Sequence, residues 1–226
     1  KAIIFDAYGT LFDVNSAAEK CKDKIGGKWE DFANYWRTTQ LEYTWLRSLM
    51  KRHKDFWQIT EDSLDKSMKV FNIDHSMKVE LLNLYKILSP FEEVPETLRV
   101  LKEKNFKLAI LSNGTPQLLK NLVDSNNLNN FFDDIFSIEE VKIYKPDSKV
   151  YNLPIKKYKI EKNETAFLSS NTWDVSGGGN YGFQSIWVNR NNNFFDNLDY
   201  EPNNQIKDLS ELVDLVKNKK KEILKI

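Results

Sequence analysis

Ala2-Ile3-Ile4-Phe5-Asp6-Ala7-Tyr8-Gly9-Thr10 is the stretch that decides the fold. An apolar run of four residues ends at a carboxylate, and a glycine turn follows. A run this short ahead of a turn reads as a buried strand of an α/β sheet. The carboxyl end of such a strand is where open α/β sheets build ligand sites. Gly9 lets the backbone turn sharply, and the Thr10 hydroxyl can hold a carboxylate oxygen. An aspartate ending a strand also serves as a plain turn former, so other strand ends must supply company before Asp6 carries a function.

Three further apolar runs fit buried parallel strands: residues 108–111, 165–168 and 185–188. Helical patterns at 116–123 and Ser148–Tyr158 follow turn residues, with Pro116 and Pro146 suited to first helical turns. Strand–helix alternation predicts right-handed βαβ units and a doubly wound, Rossmann-like parallel sheet. Pro154 predicts a kink after Tyr151. Residues 191–204 read as a polar loop before a last helix at 209–216. Residues 14–91 differ from the rest, with helical spacing and many aromatic residues, among them Trp29, Trp36, Trp45 and Trp57. They read as a helical domain inserted into an α/β core made of residues 1–13 and 92–226, and Pro90 and Pro95 frame its return.

The bulk numbers exclude several classes. The chain has 226 residues, and its charged residues, 29% of the total, cancel to zero net charge. Neither a nucleic-acid surface nor an acidic tail is indicated. The basic stretch at 217–221 reads as a solvated helix end. Cys21 is the only cysteine, which leaves no disulfide framework and no paired-cysteine metal site. His53 and His75 are too few for a histidine-rich zinc site. No apolar run approaches the length of a membrane span, and no hydrophobic leader follows the first residues. The expectation is a soluble, cytoplasmic protein with no membrane partner.

Polar residues of a particular kind end the strands. The first strand ends in Asp6, the second in Ser112-Asn113-Gly114, the third in Ser169-Ser170-Asn171-Thr172-Trp173-Asp174. Lys145-Pro146 lies between the last two, with Tyr151 six residues after the lysine. Parallel strand ends converge on one edge, so these groups can share a pocket. With Tyr35-Trp36-Arg37, Gln40-Leu41-Glu42-Tyr43-Thr44-Trp45 and Tyr144-Lys145-Pro146, the combination resembles the haloacid dehalogenase superfamily, and within it the L-2-haloacid dehalogenases. Each motif is weak alone; their joint presence in order, over nearly the whole chain, is specific.

That resemblance implies an α/β core with a helical cap, no cofactor, a small 2-haloacid substrate with a halide product, and a homodimer. It implies that Asp6 attacks the Cα of an (S)-2-haloalkanoate and that water hydrolyses the resulting ester to the (R)-2-hydroxyacid. Lys145 would keep Asp6 ionised. Asp174 would orient or deprotonate the water, helped by Ser169 and Asn171, with Thr10 and Tyr151 completing the catalytic set. Arg37 would meet the halide or substrate from the insert. Ser112, the Asn113 N–H and the N–H groups of Ala7 and Tyr8 would hold the substrate carboxylate, and Leu41, Phe56 and Trp173 would surround its alkyl group. Two departures bear on chemistry. Phosphatases of the superfamily carry a second aspartate two residues after the nucleophile, where this chain has Tyr8. They also carry Mg²⁺-binding carboxylates in the last motif, where this chain has Ser169-Ser170. A halide leaves without a proton, so both losses fit metal-free dehalogenation. The alternatives are a Mg²⁺-dependent phosphatase of this fold and a non-catalytic binding protein built on it.

Overall fold

All four side chains of residues 2–5 are buried, the pattern of a strand covered on both faces. In the computed structural model of the chain, which describes residues 2–217, this run is β1 (Ala2–Phe5). Its companions are β2 (Lys107–Ser112), β3 (Asp134–Ser137), β4 (Thr165–Ser169), β5 (Gln184–Val188) and β6 (Asn204–Ile206). They form one sheet in the order β3-β2-β1-β4-β5-β6, with every pairing parallel. The chain steps outward from β1 to β2 and β3, then returns to the other side of β1 for the remaining strands. Right-handed crossovers running in opposite directions place helices on opposite faces, and the reversal beside β1 opens a crevice at the carboxyl ends. Phe5 pairs with Ile110 on one side and Leu168 on the other. Asp6, Ser112 and Ser169 therefore leave the sheet along one edge. The doubly wound fold expected from the alternation is the one observed.

Two strands escaped the apolar-run reading, and both are sheet edges. Of β3 only Phe136 and Ser137 are buried, and of β6 only Ile206. An edge strand has one neighbour and needs little apolar surface. Residues 191–204 are accordingly not all loop, since β6 begins at Asn204.

Between β1 and β2 lie six helices: α1 (Ser16–Glu19), α2 (Lys22–Ile25), α3 (Trp29–Leu49), α4 (Phe56–Phe71), α5 (Lys78–Tyr85) and α6 (Val94–Glu103). Asp55 starts α4 by accepting the Gln58 N–H at 2.8 Å, the usual cap chemistry. The long α3 and α4 pack against each other around Phe32, Trp36, Phe56, Ile59 and Leu64, all buried. The Trp36 indole donates across the pair to the Thr60 carbonyl at 3.1 Å. Departing and returning chain run side by side: the Asp13 N–H donates to Ser89 O at 2.8 Å, and the Phe91 N–H to Leu11 O at 3.1 Å.

After β2 come α7 (Pro116–Ser125), α8 (Ser148–Tyr158), α9 (Thr172–Tyr181) and α10 (Ser210–Lys217). Pro116 opens α7 as expected. Pro146 does not open α8; it precedes the Asp147 cap, whose carboxylate accepts the Lys149 N–H at 2.8 Å. The helix continues through Pro154 and leaves Tyr151 facing the site described below. Of the basic stretch at 217–221, residues 218–221 lie outside the described residues. Among the described residues no helix is long and apolar enough to cross a membrane.

Candidate active site

Asp6 leaves β1 with its N–H donated to Leu168 O at 2.8 Å and its side chain almost wholly buried. The following turn folds back because the Leu11 and Phe12 N–H groups both donate to Ala7 O. Gly9 makes this possible at φ +88°, a conformation that favours glycine. A Cβ there would also stand 3.0 Å from Ser170 Oγ. The turn thus brings Thr10 onto Asp6. Asp6 Oδ2 accepts from Thr10 Oγ1 at 3.1 Å, Asn171 Nδ2 at 2.9 Å and Ser169 Oγ at 3.3 Å. Asp6 Oδ1 accepts from Lys145 Nζ at 3.1 Å.

Lys145 is 1% exposed and its ammonium links two carboxylates, donating to Asp174 Oδ2 at 2.8 Å as well as to Asp6. Its backbone N–H donates to Asn113 Oδ1 at 3.1 Å, which ties its position to the end of β2. Asp174 sits in the first turn of α9, where the helix dipole favours a carboxylate. Its Oδ1 accepts from the Tyr151 hydroxyl at 2.7 Å. Gly177, one turn along, allows this approach: a Cβ there would lie 2.5 Å from Tyr151 Oη.

Burial works against the Lys145 charge, but Asp174 and Asp6 together outweigh it and raise its pKa. Burial also pushes the Asp174 carboxyl up, to about 6, against the pull of Lys145. Two carboxylates share one ammonium, so one negative charge is in excess, and Asp174 is the group placed to exchange a proton near neutral pH. Burial, and then Asp174, raise the Tyr151 phenol far above its ordinary value, which keeps it a donor.

Above this cluster, Arg37 reaches down from α3. Its Nη1 donates to Gln40 Oε1 at 2.9 Å and its Nη2 stands 3.5 Å from Tyr8 O. A cavity of about 700 Å³ opens there, lined among others by Tyr8, Arg37, Leu41, Asn171, Trp173 and Arg190. Trp173 meets Trp45 edge-on, ring centres 5.4 Å apart. Asp6, Lys145 and Asp174 are not among its lining residues and join it through Asn171 and Tyr8. Other expected site residues also lie off this cavity. Phe56 is fully buried against the Tyr8 ring, at 5.1 Å between centres. Ser112 is buried with its Oγ accepting the Gly114 N–H at 3.1 Å, Asn113 is engaged with Lys145, and Ala7 is enclosed in the turn.

The donor set does not fit a hard cation. Such ions take several oxygen ligands, carboxylates foremost. Tyr8 and Ser170 stand where further carboxylates would be needed, and Lys145 already balances Asp6 and Asp174. Among the described residues no group of three or more metal-ligating side chains gathers.

The motif reading gave no role to Gln40, although it stands in a quoted motif, and passed over Arg190 and Tyr85. Arg190 donates to Thr10 O at 2.8 Å, pairs with Glu93 at 2.7 Å and covers the Phe91 ring at 3.7 Å. It holds the nucleophile turn against the returning chain. Asn189-Arg190 ends β5, so the strand-end rule applied to the fourth run would have flagged it.

A family model described as a haloacid dehalogenase-like hydrolase matches residues 1–182. The chain belongs to that family. The resemblance read from its motifs is borne out. An (S)-2-haloacid dehalogenase of Pseudomonas sp. (strain YL) is 41% identical over 217 residues, covering 95% of this chain and 94% of that one. The crystal structure of a dehalogenase superposes with a TM-score of 0.93 at 37% identity, covering 95% of this chain and 96% of that one. The L-2-haloacid dehalogenase from Xanthobacter autotrophicus, solved with chloropropionic acid covalently bound, superposes with a TM-score of 0.90 at 31% identity, covering 97% and 99%. This haloacid dehalogenase-like hydrolase therefore shares fold and length with enzymes that act on haloacids.

Proposed function

We propose that this hydrolase converts short (S)-2-haloalkanoic acids to (R)-2-hydroxyacids through an ester on Asp6, without a metal. The observation that carries the reading is the asymmetry of the Asp6 carboxylate: Oδ2 takes three uncharged donors, while Oδ1 meets only the shared Lys145 ammonium. Oδ1 is the oxygen with lone pairs to spend. It attacks Cα from the side opposite the halide, forming the Oδ1–Cα bond as the carbon–halogen bond breaks. Arg37 receives the departing halide at the mouth of the site, beside Leu41 and Trp173. No proton is required, which suits Tyr8 in place of an acid.

Water then attacks Cγ of the ester. Negative charge builds on Oδ2, where Thr10, Ser169 and Asn171 already donate, as preorganised donors do in acyl transfer. Asp174, held by Lys145 and Tyr151, takes the water proton. As the tetrahedral centre collapses the Cγ–Oδ1 bond breaks, Asp174 returns that proton to the departing alkoxide oxygen, and Asp6 is left as a carboxylate carrying the water oxygen. Cα is not touched in this step, so one inversion carries (S) to (R). The boundaries 1–13 and 92–226 for the core and 14–91 for a cap belong to this proposal, with Arg37, Leu41 and Phe56 as the cap's contribution. Ser112 and the N–H groups of Asn113 and Ala7, which lie off the open cavity, together with the N–H of Tyr8, which lines it, are proposed to hold the substrate carboxylate.

The test is a single turnover in H₂¹⁸O with enzyme in excess. The ester route gives unlabelled hydroxyacid and heavy oxygen on Asp6. Direct attack by activated water gives labelled product and an unlabelled Asp6 peptide, and that outcome sinks the covalent scheme. Halide release that is lost with EDTA and restored with Mg²⁺ would sink the metal-free part.

A further inference from the structure

Gln40 is 1% exposed, one turn from Arg37 on α3, and each of its side-chain atoms is engaged. Oε1 accepts from Arg37 Nη1 at 2.9 Å and stands 3.3 Å from the Tyr85 hydroxyl. Nε2 donates to Thr60 Oγ1 at 2.7 Å and lies 3.0 Å from Tyr85 Oη. The amide has only one consistent orientation. A guanidinium donates and never accepts, so the oxygen must face Arg37. The Thr60 proton is spent on Phe56 O at 2.7 Å, so Thr60 must accept from the nitrogen. Gln40 is thereby pinned from α4 and α5, and pins Arg37 in turn. Arg37 donates to uncharged acceptors, Gln40 Oε1 and Tyr8 O, and its other neighbour, the Tyr85 phenol, is kept neutral by burial. A carboxylate at position 40 would hold the guanidinium more strongly, but would neutralise it.

We propose that Gln40 is a positioning residue for departure of the halide: it fixes the Arg37 guanidinium over the site through a neutral acceptor, leaving the whole charge available to the leaving anion. The inference rests on Arg37 being the halide's partner.

The experiment measures chloride binding to the resting enzyme by ³⁵Cl line broadening, alongside steady-state kinetics. Wild type is compared with R37A, Gln40→Glu and the near-isosteric Gln40→Met, and thermal melts report folding. Broadening that R37A abolishes belongs to Arg37. Gln40→Glu is expected to weaken that binding about tenfold at alkaline pH, because its carboxylate competes for the guanidinium. Affinity should return in acid, where a protonated carboxyl is again an uncharged acceptor. The charged and titratable groups facing position 40 are Arg37 on its own helix and Tyr85 from α5. Gln40→Met should lower kcat about tenfold on a 2-chloro acid and less on the 2-bromo acid, with KM nearly unchanged, because the poorer leaving group depends more on the arginine. Chloride binding in Gln40→Glu that matches wild type at every pH overturns the proposal. So does a Gln40→Met variant that slows both substrates equally, in step with lost melting temperature. A wild type that releases no halide from any 2-haloacid defeats the catalytic reading, while the chloride titration still decides the role of Gln40.

Discussion

The strand-end cluster and the helical insert meet beside one cavity, yet they are held by opposite kinds of force. In the cluster, Asp6, Lys145 and Asp174 form a buried ionic chain; Asp6 is fixed further by Ser169 at the end of β4 and Asn171 at the start of α9, Asp174 by Tyr151 from α8, and Lys145 through its N–H by Asn113 after β2. The insert faces it mainly with aromatic surface: Tyr8 against Phe56 and Tyr85, Trp173 against Trp45, Phe56 against Tyr144. Its single charged contribution to the cavity lining, Arg37, is held by neutral acceptors. Chemistry that needs fixed geometry sits on rigid strand ends. The insert closes over it by packing, which tolerates small displacements.

The comparison breaks most visibly if the ionic chain is cut. Lys145→Met leaves two buried carboxylates with no cation, and an uncompensated buried charge costs roughly 3–5 kcal/mol of stability. The loss should be greatest above neutrality. Without lysine the Asp174 carboxyl rises further from its already raised value, so falling pH protonates it and removes the repulsion. Denaturant unfolding of the variant between acid and alkaline buffer checks this. Equal destabilisation at both ends would mean that packing around the lysine stem, rather than charge, is what the cluster depends on.

Arg37→Ala tests the other side. Removing a charge-assisted contact that matters only as the halide leaves should cost about 2–4 kcal/mol in kcat/KM. The melting temperature should barely move, because Arg37 contacts only uncharged partners and lines an open cavity. A variant near wild type in kcat/KM would assign the whole reaction to the strand ends.

The pH dependence of turnover sharpens the division of labour. Asp174 must be ionised to take a proton from water, and its pKa is pushed up to about 6, with Asp6 contributing to the rise. In the ester Asp6 is uncharged, so that contribution disappears. An acidic limb in kcat should therefore lie at or somewhat below 6, with kcat falling about tenfold per pH unit beneath it. A kcat flat from about pH 4 to pH 8 would remove Asp174 from the hydrolytic step.

These expectations differ in how far the sequence alone supports them. The central strands were legible because β1, β2 and β4 are buried runs that need no partner to be recognised. The edge strands β3 and β6 were not, because pairing with a neighbour defines them more than composition does. In the site, Asp6, Lys145 and Asp174 could be read from motif order. Gln40 stood inside a quoted motif and Arg190 at a strand end, so both positions could be flagged, but neither could be assigned its role in advance. Their work is to hold other residues, and it exists only once α3, α4 and α5 pack together and β5 comes alongside the nucleophile turn. Periodicity reports which face of a helix is apolar; it does not report which polar group on that face is answered by another helix.

The smallest expected effect probes the seam itself. His53, in the turn between α3 and α4, stands 3.1 Å from Glu139 in the short helical turn after β3, and both side chains are about a fifth exposed. This is a histidine–carboxylate contact across the boundary between insert and core. The His53 ring also lies 5.6 Å from the Tyr144 ring, and the Tyr144 hydroxyl donates to Lys54 O at 2.6 Å. Part-exposed pairs contribute about 0.2–1 kcal/mol, since water screens them and side-chain entropy opposes them. A double-mutant cycle over His53→Ala and Glu139→Ala should return a coupling energy in that range, with kcat/KM nearly unchanged. Tyr144→Phe should cost more than either, because it leaves the Lys54 carbonyl without its donor in the same seam. If instead the His53–Glu139 coupling exceeds the Tyr144 effect, or its loss lowers kcat/KM, the insert is held by charge after all. The contrast between an ionic core and a packed insert would then fail at the place where the two meet.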